Sequence, residues 1–134
     1  MHKPNKERVR DFFAAAASAN DDAMLAILHP NLRVIEAESL PYGGVVEGRS
    51  NFKEFTKRVF KTWKNTRVIT EELIEDGNKV VVLATMSGES KTSQTQFTMS
   101  IAEIWSFDND GLVTEIKPFY FDTKKLIDIY NGDL

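Results

Sequence analysis

The chain has 134 residues, 42% hydrophobic and 28% charged, with a net charge of −3. That balance fits a single domain spanning 1–134 with its own core, and it supplies no basic field for nucleic acid or an anionic membrane. Cysteine is absent, which excludes disulfides, thiol nucleophiles and thiolate metal sites and fits a reducing, cytoplasmic setting.

The opening Met-His-Lys-Pro-Asn-Lys-Glu carries no apolar signal segment, and no run is long enough to span a bilayer. His2 is expected to be disordered. From Asn5 to Ala19, the residues Val9, Phe12, Phe13 and Ala16 recur at helical spacing. Asn20-Asp21-Asp22 reads as the capped start of a second helix with Met24, Leu25 and Leu28 on its apolar face, ended by His29-Pro30. Leu32 to Ala37 reads as a short strand, and Ser39-Leu40-Pro41-Tyr42-Gly43-Gly44 as a loop. A third helix follows Gly48-Arg49-Ser50, with Ser50 as cap and Phe52, Phe55, Val59 and Trp63 on its buried face.

At Thr66 the period changes to that of strands. These run over Thr66–Glu75, Lys79–Gly88, Gln94–Phe107 and Leu112–Phe121, separated by Asp- and Gly-rich turns. Asp122 then caps a short last helix with Leu126, Ile129 and Tyr130 apolar, closed by Gly132. Helices first and an antiparallel meander afterwards predict an α+β fold: a curved, cone-shaped, mostly antiparallel sheet with three N-terminal helices across its concave face. Such a concavity is where a ligand pocket is expected.

The most informative stretch is Gln96 to Phe107. Its odd positions hold Phe97, Met99, Ile101, Trp105 and Phe107, and side chains alternate along a strand, so this set faces the core or the pocket. Glu103 belongs to the same set. A carboxylate among large apolar residues either meets a bulge or a pairing cation, or it is a pocket acid with a raised pKa that moves protons. Both readings stay open from the pattern.

Other candidates carry less signal. Glu36 and Glu38 share one face of the first strand and Arg33, Ile35 and Ala37 the other, and which face looks inward is not fixed by sequence. Tyr42 sits in a Gly-rich loop that could lid a pocket or be a plain turn. Trp63 and Phe60 read first as core, and Tyr120 either reaches the cavity or packs. His29 suits a helix C-terminus. With two His and no Cys, no transition-metal site is expected. There is no phosphate loop, dinucleotide fingerprint or nucleophile elbow, so no cofactor is expected. Lys53, Lys57, Arg58, Lys61 and Lys64 read as a solvated helix face.

Leu40-Pro41-Tyr42-Gly43-Gly44 with Gly48-Arg49, and Glu103-Ile104-Trp105-Ser106-Phe107 through Gly111 to Pro118-Phe119-Tyr120 and Asp122, resemble the nuclear transport factor 2-like superfamily over essentially the whole chain. Within it the chain is most similar to SnoaL-like and ketosteroid isomerase-like domains. Ketosteroid isomerase uses a carboxylate base with a tyrosine and a protonated acid as oxyanion donors. The resemblance puts the protonated acid on Glu103, the tyrosine on Phe13, which has no hydroxyl, and the base on Ala37, between Glu36 and Glu38. SnoaL-like cyclases need one positioned acid, which Glu103 can supply, whereas the Asp-Arg-Asp set of the limonene-epoxide hydrolase branch cannot be assembled on the expected inner faces.

Two functional expectations follow. The first is a pocket enzyme or binder for a small apolar carbonyl or cyclic compound. Its catalytic candidates are Glu103, Glu38 and Glu36, and its walls are Phe13, Tyr42, Trp63, Phe97, Met99, Ile101, Trp105 and Tyr120. The second is a non-catalytic binding or dimerisation module whose pocket is filled by its own side chains. The resemblance implies a homodimer through the open face of the sheet, and an exposed apolar sheet surface would account for it.

Overall fold

In the computed structural model, residues 3–133 are described, and His2 lies outside them. Helix α1 (Asn5–Ala17) begins after Pro4, whose carbonyl accepts from Glu7 and Arg8 N–H, and it buries Val9, Phe12 and Ala15. Ala16, expected on that face, is exposed, because the buried stripe advances through Ala15 instead. Helix α2 (Asp21–Leu25) is capped as expected, with Asn20 Oδ1 accepting from Ala23 N–H at 3.2 Å.

The second helix is shorter than its apolar pattern suggests. Leu28, His29 and Pro30 belong to strand β1 (Leu28–Glu36) and not to a helix end. Pairing of β1 with β6 shifts register between Leu28 and Arg33, and an irregularity of this kind is where a strand tolerates a proline without a ladder N–H. His29 therefore caps no helix. Its Nδ1 accepts from Asn31 N–H at 2.9 Å, and its Nε2 lies 3.9 Å from Asp108.

The Gly-rich loop delivers a further short strand, β2 (Gly44–Glu47), which pairs antiparallel with β1 from Arg33–Glu47 to Glu36–Gly44. A single 3-10 turn, Arg49–Asn51, leads into α3 (Phe52–Thr62), so Ser50 is not a helix cap. Helix α3 buries Phe52 and Phe55 and leaves Val59 partly covered. Trp63, expected on this helix, is the first residue of β3 (Trp63–Asp76), where the backbone turns extended. Then come β4 (Lys79–Ser90), β5 (Gln96–Phe107), β6 (Val113–Tyr120) and α4 (Thr123–Asn131). Asp122 caps α4 through Lys125 N–H, and Gly132 ends it at φ 80°.

The six strands form one curved, unclosed sheet in the order β2-β1-β6-β5-β4-β3, antiparallel except for the β1–β6 pair. Val80, Val82, Ala84 and Met86 of β4 and Phe97, Met99, Ile101, Trp105 and Phe107 of β5 face inward, where the helices cover them. Phe12 of α1 meets Trp105 edge-on at 5.0 Å between ring centres and Phe52 of α3 at 5.8 Å, which ties two helices to the middle of the sheet.

Candidate active site

On β1 the buried alternation is Leu32, Val34, Glu36, so the face carrying Glu36 looks inward. Strand β6 runs parallel beside it with Val34 paired to Ile116 and continues just past the end of β1, so that Tyr120 reaches back to Glu36. Tyr120 donates its hydroxyl to Glu36 Oε2 at 2.9 Å, while Glu36 Oε1 accepts the Ala37 N–H at 3.3 Å. Burial pushes the Glu36 carboxyl from its ordinary 4.5 up to about 7; the bonds from Tyr120 and Ala37 pull it back, and the charge of Glu103 adds to the rise.

Behind Tyr120 the network continues. The Tyr42 hydroxyl lies close enough to Tyr120 to act on its titration, and Trp63 Nε1–H donates to the Tyr42 oxygen at 3.2 Å. An indole is a donor only, so the Tyr42 oxygen accepts from Trp63, and the Tyr120 hydrogen goes to Glu36. Burial raises the pKa of both tyrosines, so both stay protonated and able to donate.

Tyr42 reaches inward because its loop is tightly folded. A side chain on Gly43 would place its Cβ 2.1 Å from the Ala37 carbonyl oxygen and 2.7 Å from that of Glu38, so only glycine fits there.

The second acid lies one step across the sheet. On β5, Glu103 is paired with Val82 of β4 and Pro118 of β6, and the next inward pair along is Ile101–Tyr120. Trp105 Nε1–H donates to Glu103 Oε1 at 3.0 Å. Burial raises the Glu103 pKa, and the Trp105 bond counteracts it. With Oε1 taken by a donor, the protonated form carries its hydrogen on Oε2, free to be donated. No ion pair joins Glu103 to a cation among the described residues, so a bridging arginine is not what accommodates it.

The candidate residues divide cleanly. Glu36, Glu103, Tyr42, Trp63 and Tyr120 converge, with Phe97 packed edge-on against Trp63 at 5.0 Å and Phe13 against Trp105 at 5.6 Å. Met99 and Ile101 line the same inner face of β5. Glu38 lies beyond the end of β1 and is exposed, apart from this group. The Trp63–Tyr42–Tyr120–Glu36 chain was not legible in the sequence, although the alternation Leu32, Val34, Glu36 matched an apolar strand face.

Two surface clefts approach these groups. One, of about 540 Å³, is lined in part by Trp63; the other, of about 370 Å³, lies between α1 and β3 and is lined in part by Phe13. Neither includes Glu36 or Glu103. Each ends at an aromatic wall whose next neighbours lead to one of the acids. Among the described residues no cluster of three His, Cys, Asp or Glu could hold a metal, and no helix is long and apolar enough to cross a membrane.

The geometry has relatives. Over 96% of its length the chain superposes on 99% of TerC, crystallised with polyporic acid, at a TM-score of 0.82 and 23% identity. An NTF2-like protein of unknown function from Burkholderia pseudomallei matches at 0.81 and 26% identity, over 96% and 98% of the two chains. A protein with a ketosteroid isomerase-like fold from Catenulispora acidiphila, in complex with trimethylamine, matches at 0.70 and 19% identity over 85% of each. No curated protein sequence matches the chain. The SnoaL-like domain model matches residues 9–116, which include both acids, Tyr42 and Trp63 and stop short of Tyr120, and the chain belongs to the SnoaL-like domain family.

Proposed function

We propose that Glu36 and Glu103 form the acid/base centre of a cofactor-independent enzyme of isomerase, cyclase or lyase type, acting on a small apolar carbonyl or cyclic compound. The observation that carries this reading is the Tyr120–Glu36 hydrogen bond beside a second raised-pKa acid. A carboxyl near 7 is half-ionised at neutral pH, which suits a general base. Ionised Glu36 removes a proton from a carbon next to the carbonyl. In the form of the pair that holds its one proton on Glu103, the Oε2–H donates to the oxygen that gains charge, and Glu36 returns its proton at the new position. Phe13, Phe97, Met99, Ile101 and Trp105 supply the apolar walls. The relatives crystallised with polyporic acid and trimethylamine support a small organic ligand. A cytoplasmic homodimer belongs to the same reading, with Ile69, Ile74 and Phe119 exposed on the outer side of the sheet.

The test is proton–deuterium exchange at activated carbons of a panel of small cyclic ketones in D₂O, followed by proton NMR. The protein accelerates exchange for at least one, and Glu36→Gln lowers that rate by about 10² or more. Equal rates for the two proteins would remove the base from the account.

A second reading is a non-catalytic binder, favoured by the aromatic walls that close both clefts: Trp63 at one, Phe13 tilted against Trp105 at the other. It predicts saturable ligand binding with no exchange above the buffer rate.

A further inference from the structure

The larger cleft has a chemistry of its own. It forms where four segments meet. Helix α3 passes directly into β3, so its last turn stands beside Trp63. Trp63 pairs with Ser90 at the end of β4, which brings the β4–β5 turn opposite that helix turn. Tyr130 of α4 closes the cleft, its ring edge-on to Trp63 at 6.1 Å.

Three cations line it: Arg58 and Lys61 from α3 and Lys91 from the β4–β5 turn. No aspartate or glutamate is among the lining residues. Some cations elsewhere are paired, such as Lys3 with Asp11, Lys53 with Asp21 and Lys124 with Asp128; Arg58, Lys61 and Lys91 have no ion-pair partner among the described residues, and the Arg58 guanidinium lies 5.9 Å from the centre of the Phe55 ring. In a chain of net charge −3 this is a local concentration of the opposite sign, and three like charges around one hollow repel until an anion joins them. A favourable position in the last turn of the helix accounts for Lys61. It does not account for Lys91, which comes from a different element.

The turn that carries Lys91 is built to a fixed shape. Ser90 is buried, and its Oγ accepts the backbone N–H of Thr92 at 3.2 Å and of Ser93 at 3.3 Å. Ser90 is thereby spent on the turn and acts as a positioning residue for Lys91. Beneath the cations the apolar lining is exposed Pro41 and the half-exposed Tyr130 ring, which stands edge-on to the buried Trp63. The volume, about 540 Å³, falls in the range of small-molecule sites.

We propose that this cleft, formed by Arg58, Lys61 and Lys91 over Pro41 and Tyr130, binds a small aromatic carboxylate, its charge among the cations and its ring against Tyr130. A bare inorganic anion would satisfy the cations and leave the Tyr130 ring unused. The site stands apart from the acid/base reading, because its test measures binding and not turnover.

The experiment titrates ¹⁵N-labelled protein with 2-naphthoate, with neutral 2-naphthalenemethanol and with inorganic phosphate. It follows the Trp63 indole N–H, assigned by its loss in Trp63→Phe. The expected result is a saturable shift with naphthoate, at least about tenfold weaker binding of the alcohol, and no Trp63 shift with phosphate. The charge reversal Lys61→Glu with Lys91→Glu, at exposed positions that leave the fold intact, weakens naphthoate by about tenfold or more. Raising salt weakens it further in the wild type. Equal binding of acid and alcohol, unchanged naphthoate affinity in the reversed variant, a Trp63 shift with phosphate alone, or no saturable shift at millimolar naphthoate would each overturn the proposal.

Discussion

Tyr120 and Glu36, 84 residues apart in sequence, share a hydrogen bond of 2.9 Å because β6 runs parallel beside β1 and continues just past its end. Every other feature of the candidate site is arranged around that contact: Tyr42 and Trp63 extend it outward, and Glu103 lies one inward step along the sheet. The bond favours the ionised form of a carboxyl that burial otherwise holds neutral.

Removing the donor therefore has a defined sign. In Tyr120→Phe, Glu36 loses its strongest opposing interaction to burial, and its pKa moves above the wild-type value of about 7. A proton-exchange reaction that uses ionised Glu36 then shows its acidic limb at higher pH. A pH–rate profile of Tyr120→Phe that overlays the wild type would contradict this.

The stability of the fold should also depend on pH through Glu36. Its folded pKa is raised from 4.5 to about 7, so the folded state holds the proton more tightly than the unfolded chain. This contribution is fully present below pH 4.5 and is lost as pH rises through 7, with a total of roughly 3 kcal/mol. Urea titrations at a series of pH values reveal it as the difference between wild type and Glu36→Gln, which lacks the titrating group. A difference that stays constant across that window would show that Glu36 titrates normally.

Trp63→Phe tests the far end of the donor chain. The Tyr42 oxygen loses the N–H at 3.2 Å inside the core, and the unmet group together with the lost ring volume destabilises the protein by about 2–4 kcal/mol. Thermal or urea unfolding reads this directly. A loss below about 0.5 kcal/mol would mean that Tyr42 finds another donor.

Gly43→Ala tests the loop that aims Tyr42. Its Cβ would meet the Ala37 carbonyl oxygen at 2.1 Å, so the turn has to open, at a cost of about 1–3 kcal/mol. Moving Tyr42 also breaks its bond to Trp63, so the Trp63 indole N–H shifts in the NMR spectrum. Gly44→Ala, where no atom lies within 4 Å but φ is +102°, separates backbone strain from collision.

Much of this was legible in the sequence, and the gaps have physical causes. The β5 alternation placed Glu103 inward because five large apolar residues shared its parity, and the structure agrees. The four long strands and the last helix announced themselves by period and by turn residues. Leu28–Pro30 misled because a proline after a helical pattern normally ends a helix, whereas here it occupies a strand irregularity. Trp63 misled because it continues the i, i+3, i+4 rhythm of α3 one residue past the point where the backbone straightens. The parity of β1 was undecided from Leu32 to Glu38, since hydrophobic residues occur on both faces; contact with β6 decides it. The Tyr42–Trp63 bond joins a loop to a strand start, and no periodicity encodes a contact of that kind.

The most direct test of the acid pair is a carbon-detected NMR titration of the Glu36 and Glu103 side-chain carboxyls in the ligand-free protein. The account predicts Glu36 titrating near 7 and Glu103 above its ordinary 4.5. Both carboxyls titrating at or below 4.5 would contradict it, since neither would then be a desolvated acid able to exchange a proton at neutral pH.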